Sequence, residues 1–80
     1  MDTSTAIRQR ILDLCRQRGI TVNHLATISG VTQSTVNNIV SGRNHSATVA
    51  TIKKLCDGLD ISLRDFFDTA VFDDLEQEVK

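Results

Sequence analysis

Eighty residues with a net charge of −1, 40 % apolar and 24 % charged, describe one small globular domain rather than a disordered chain. There is no Pro, Trp or Tyr, and the β-branched residues never alternate with period two, so the expected class is all-α. The opening MDTSTAIRQR lacks the apolar stretch of a signal peptide, and the longest apolar run is Ala70 to Phe72, which argues against secretion or membrane insertion and for a cytoplasmic protein.

The charge is unevenly spread. Residues 1–54 hold seven Arg and Lys against two Asp, a net of +5, whereas residues 55–80 hold two against eight, a net of −6. Phosphate attraction is screened within about 10 Å at physiological salt, so a basic face can act despite an acidic tail. Cys15 and Cys56 fall on apolar helix faces and read as two buried free thiols. With His24 and His45 they show no metal-ligand spacing, so neither a metal nor a cofactor is expected.

In chain order, the apolar spacing predicts a first helix from near Thr3–Thr5 to about Arg18, with Ile7, Ile11, Leu14 and Cys15 inward and Arg8, Arg16 and Arg18 pointing elsewhere. Gly19, Gly30, Gly42 and Gly58 each follow an apolar-periodic segment and mark expected helix C-termini. Thr21 caps a second helix, in which Leu25 and Ala26 share one face with Val22 and Ser29. Gly30 breaks it. Val31, the N-cap Thr32, and Val36, Ile39 and Val40 at helical spacing then give a third helix, and the small Ala26 suits a close crossing of the two.

Once those positions are buried, the third helix shows Gln33, Ser34, Thr35, Asn37 and Asn38, with no carboxylate anywhere from Asn23 to Arg43. Gln and Asn amides can pair bidentately with the N6 and N7 edge of adenine, which suits this face to a major groove. Arg43, Asn44, His45 and Ser46 form the loop beyond. Thr48 caps a fourth helix with Val49, Ile52, Leu55 and Cys56 inward and Lys53 and Lys54 outward. Leu59 and Ile61 lead to Ser62, the cap of a short helix with Leu63, Phe66 and Phe67. Phe66 reads as core, and Phe67 as core or interface. Val71 or Phe72, Leu75 and Val79 recur at helical spacing among carboxylates, so the end is either an extra amphipathic helix or a frayed acidic tail.

Residues Thr21 to Arg43 resemble the helix-turn-helix of the Cro/repressor-type (xenobiotic response element type) DNA-binding family. Leu25, Ala26, Gly30, Val31, Val36 and Ile39 stand where that motif keeps its apolar, small and turn residues. The stretch TIKKLCDGLDISLRDFF resembles the same family's fourth and fifth helices, and the likeness covers roughly residues 4–68. The resemblance implies a compact five-helix domain over residues 1–68, followed by an acidic C-terminal extension over 69–80. It implies double-stranded DNA as partner, with Gln33, Ser34, Asn37 and Asn38 at base edges and Thr21, Asn23, Thr35, Arg43, Asn44 and Ser46 on phosphates. It further implies a homodimeric repressor on a palindromic operator.

Many relatives bury an Arg–Glu ion pair where this chain has Cys15 and Val40, and an apolar pair can replace such a bridge without loss of stability. An antitoxin that represses its own operon, with a protein partner held through the C-terminal segment, is the alternative within the class. An adaptor that has lost DNA binding is the alternative outside it. No nucleophile is paired with a base, so no catalytic residue and no enzyme is expected.

Overall fold

Among the described residues, every α-helix opens on a side-chain oxygen that accepts from a backbone N–H of its own first turn. A computed structural model describes residues 1–43 and 47–79. It places α1 at Thr3–Arg18, α2 at Val22–Ser29, α3 at Gln33–Val40, α4 at Val49–Leu59, α5 at Leu63–Phe67 and a single 3-10 turn at Ala70–Phe72. The caps are Asp2, Thr21, Thr32, Thr48 and Ser62, which accept from Thr5, His24, Thr35, Thr51 and Asp65 at 2.8, 3.0, 3.3, 3.1 and 2.9 Å. Each such cap is worth about 1 kcal/mol. Among the described residues there is no strand, and no helix is long and apolar enough to cross a membrane.

α2 is the hub, packed against α4, α3 and α1. Ala6, Ile7, Ile11, Leu14 and Cys15 of α1 close on Leu25, Ala26, Val36, Ile39, Ile52, Leu55, Cys56, Leu59 and Phe66, and no polar residue is buried among them. Val40 packs against this core from its edge, so the Cys15 and Val40 positions are both apolar contacts. Both cysteines are free and buried, and burial pushes both thiols up. Val49, expected inward, is instead 65 % exposed, because α4 reaches the core only a turn after its cap.

Gly58 does not end a helix. It lies inside α4, and Asp60 takes the left-handed position at φ 56° instead. The reason is the crossing with α2. A Cβ on Gly58 would run into the Ser29 hydroxyl and stand 3.1 Å from the Ser29 Cα. The Ser29 hydroxyl is itself buried with no hydrogen-bond partner among the described residues. Gly58→Val is therefore expected to lose roughly 2–3 kcal/mol through overpacking, while Ser29→Ala leaves stability unchanged or raises it, since an unpaired buried hydroxyl is removed. Thermal melts of the two variants check both signs.

The C-terminal segment is neither the amphipathic helix nor the frayed tail that its spacing allows. After the 3-10 turn it runs irregularly across the start of α1. The Glu76 N–H donates to the Met1 carbonyl at 3.0 Å, the Thr3 hydroxyl donates to the Glu78 carboxylate at 2.9 Å, and the terminal amine stands 3.7 Å from the Glu76 carboxylate. An isolated helix this short is marginal in water. Phe72 and Leu75 are half-buried without one, while Val79 is 87 % exposed, so a helix would gain no further cover for it.

Arg10 was not anticipated as structural. Its Nε and Nη2 donate to the Phe66 and Asp65 carbonyls, both at 2.7 Å, and its guanidinium lies 6.0 Å from the Phe66 ring centroid. The cation thus meets the Phe66 carbonyl, adds to the Asp65 carbonyl that the Asp68 N–H already reaches at 3.3 Å, and fixes the end of α5 to α1.

Candidate nucleic-acid interface

The corner between α2 and α3 is set by Gly30, Val31 and Thr32. Gly30 is left-handed at φ 67°, where a side chain would be strained. It brings the Val31 N–H to the Ala26 carbonyl at 3.1 Å and its own to the Thr27 carbonyl at 3.4 Å, the double bond of a Schellman closure. With the chain turned in three residues, Ala26, wholly buried, lets α3 cross α2 closely.

α3 is amphipathic around this crossing. At about 100° per residue, Val36, Ile39 and Val40 take the core side and leave Ser34, Asn38 and Ser41 opposite, with Asn37 beside them and Gln33 at the helix start. Gln33, Ser34, Asn37 and Ser41 are exposed, and Asn38 is half-covered. Ser41 was not singled out from the sequence, yet it continues the same face. Its hydroxyl donates to the Asn38 carbonyl at 3.3 Å.

The residues expected on phosphates divide. Thr21 and Asn23 are exposed at the start of α2, although the Thr21 hydroxyl already accepts from the His24 N–H. Thr35 is half-buried and committed to the cap, its hydroxyl 2.6 Å from that of Thr32 and its N–H donating to the same oxygen. Arg43 is exposed just beyond Gly42, which sits at φ 81°. Asn44 and Ser46 lie outside the described residues. Asn37 and Asn23 are brought together: the Asn37 Nδ2 donates to the Asn23 Oδ1 at 2.9 Å across the corner.

The structure adds a cation to this edge. Arg8, placed by the sequence only as pointing away from the inward stripe of α1, reaches the turn after α3, where its Nη1 lies 3.7 Å from the position of a Cβ on Gly42. No local signal marks it, since α1 and the turn are far apart in the chain. The ion pairs among the described residues lie elsewhere, between the terminal amine and Glu76, Arg16 and Asp13, and Lys53 and Asp57. Those described residues hold no group of three or more His, Cys, Asp or Glu that could bind a metal ion.

Comparison with known proteins agrees with this geometry. The sequence profile of the Cro/C1-type HTH DNA-binding domain matches residues 10–70. The uncharacterized HTH-type transcriptional regulator RghRB of Bacillus subtilis (strain 168) is 43 % identical over 47 residues, 59 % of this chain and 34 % of that protein. The matched stretch thus spans about a third of the relative's length. The crystal structure of the prophage Lp1 protein 11 superposes with a TM-score of 0.80 at 37 % identity, covering 94 % of this chain and 100 % of that one. The family is one of DNA-binding regulators rather than catalysts. By sequence profile, fold and the geometry of its α2–α3 corner, the chain belongs to the Cro/C1-type helix-turn-helix DNA-binding family.

Proposed function

We propose that this protein is a sequence-specific, double-stranded-DNA-binding transcriptional regulator, a dimeric repressor whose α3 enters the major groove of a palindromic operator. The observation that carries the reading is the outward face of α3, built of amides and hydroxyls without a carboxylate, beside the exposed start of α2. Gln33, Ser34 and Asn38 meet base edges, and Asn37 stands at the rim of that face. Thr21, Asn23, Arg43, Asn44 and Ser46 hold the backbone, joined by Arg8, while Thr35 acts by fixing the start of α3. Such backbone contacts set register, and base contacts set sequence.

Binding to duplex DNA is expected to weaken linearly in log affinity against log salt. With Arg8 and Arg43 on phosphates in each of two copies, the slope should be about −3 to −4. Fluorescence anisotropy over a salt series measures it. Absence of duplex binding at low salt would leave an adaptor rather than a regulator.

The dimer is proposed to form through α5. Leu63 and Phe67 line an open depression with Arg64 and Asp68, and Phe67 is 39 % exposed. Arg64 and Asp68 are one helical turn apart and opposite in sign. A twofold axis that sets two α5 helices antiparallel would place Arg64 of each copy against Asp68 of the other, the self-complementarity an isologous interface needs. A palindromic operator asks such a dimer to hold its two α3 helices about 34 Å apart, one turn of duplex. Arg64→Asp should weaken self-association several-fold in sedimentation equilibrium. Adding Asp68→Arg should restore it, and a double variant as weak as the single one would rule α5 out.

A further inference from the structure

We infer that Asn37 is a positioning residue: by donating to the Asn23 carboxamide oxygen it turns the Asn23 amide nitrogen toward the DNA backbone, so that the α2–α3 corner offers a phosphate donors only. This rests on the DNA-binding reading given above. The observation is the 2.9 Å bond from Asn37 Nδ2 to Asn23 Oδ1, between two exposed side chains on different helices.

A carboxamide has one accepting oxygen and a nitrogen with two N–H donors. Phosphate oxygens only accept. An unrestrained Asn could present either end, and the oxygen end would face phosphate with the wrong polarity. Asn37 narrows that freedom: while it presents its nitrogen to the pair, the Asn23 oxygen is the end that meets it. The Asn23 NH2 group is thereby left pointing away from the pair. The same bond ties the start of α2, which faces the strand, to the middle of α3, which lies in the groove, so orientation and register are set by one contact. No charged residue does this work between Asn23 and Asn37, since the segment contains none.

The test is a double-mutant cycle on the full chain, read by fluorescence anisotropy. The probes are a duplex selected from a random pool and a scrambled duplex of the same length, with salt series and thermal melts in parallel. Asn23→Ala and Asn37→Ala should each weaken binding roughly tenfold per copy, the size of one hydrogen bond to a charged group, and by the same factor on both duplexes. The double variant should be no weaker than either single one. Melting midpoints and salt slopes should not move, because both side chains are exposed and neutral.

Asn37→Asp should weaken binding more than Asn37→Ala, since a carboxylate can only accept and would turn the Asn23 nitrogen inward. Asn23→Lys placed in the Asn37→Ala background should regain affinity for both duplexes and steepen the slope by about 0.9 per copy, because a cation needs no orienting partner. Additive single losses would overturn the inference, as would an Asn37→Ala effect confined to one base step, or no regain with Asn23→Lys. Wild-type protein that bound neither duplex would overturn the DNA-binding reading itself.

Discussion

Phe66→Ala is expected to remove about 3–5 kcal/mol of stability and to lower the melting midpoint by roughly 15–30 °C. The ring is wholly buried. It stacks edge-on to Phe67 at 4.9 Å between centroids and lies 6.1 Å from Phe72, and the Arg10 guanidinium sits over it. Truncation therefore loses the transfer energy of a large side chain and opens a cavity. It also takes away the aromatic partners that hold the 3-10 turn. Arg10 would keep its two carbonyl acceptors only if α5 stayed in place. A domain of this size carries about 4–12 kcal/mol in all, so the variant should be partly unfolded at 37 °C. Phe66→Leu keeps most of the volume and should cost under about 1.5 kcal/mol. Circular-dichroism melts of both variants decide the matter. An Ala variant within 1 kcal/mol of wild type would remove the ring from the centre of the fold.

That expectation leans on features of unequal legibility. The caps were readable because capping is local: Thr21, Thr32, Thr48 and Ser62 each bond an N–H three residues on, and Gly30 signals its left-handed turn by composition alone. The core stripes of α1 and α3 were readable for the same reason, since periodicity is a property of the segment. What escaped depends on elements distant in the chain. Gly58 looks like a terminator, but it is small because Ser29 passes against it. Arg10 looks like a solvated charge, but its acceptors lie 56 and 55 positions away. The acidic end has helical spacing, but its backbone bonds to Met1.

The candidate interface follows the same division. That α3 should turn amides outward follows from where Val36, Ile39 and Val40 must go, and that part was legible. That Thr35 is spent on the cap and half-covered was not, because its hydroxyl could as well have faced a phosphate. Arg8 could not be placed at the α3 turn until α1 was packed across it. The bond between Asn37 and Asn23 spans 14 positions and two helices, and no motif announces it.

Replacing Gln33 and Asn38 together by Ala is expected to lower affinity for the selected duplex at least a hundredfold, while affinity for a scrambled duplex stays within about twofold. A side chain paired bidentately with a base contributes about 1–3 kcal/mol of discrimination, and in the proposed complex two act in each half-site. The loss falls on specific binding alone because neither residue carries charge. The cations proposed to supply non-specific attraction, Arg8 and Arg43, are untouched. Folding should not intervene. Gln33 is exposed, and the side-chain hydrogen bond that Ser41 makes to Asn38 is accepted by the Asn38 backbone carbonyl, which Ala retains. Arg43→Ala should give the opposite pattern, an equal loss on both duplexes and a shallower salt slope. The two variants therefore separate reading from holding. If the double Ala variant lost affinity for both duplexes equally, α3 would be gripping backbone rather than reading bases, and the operator would have to be recognised by its shape.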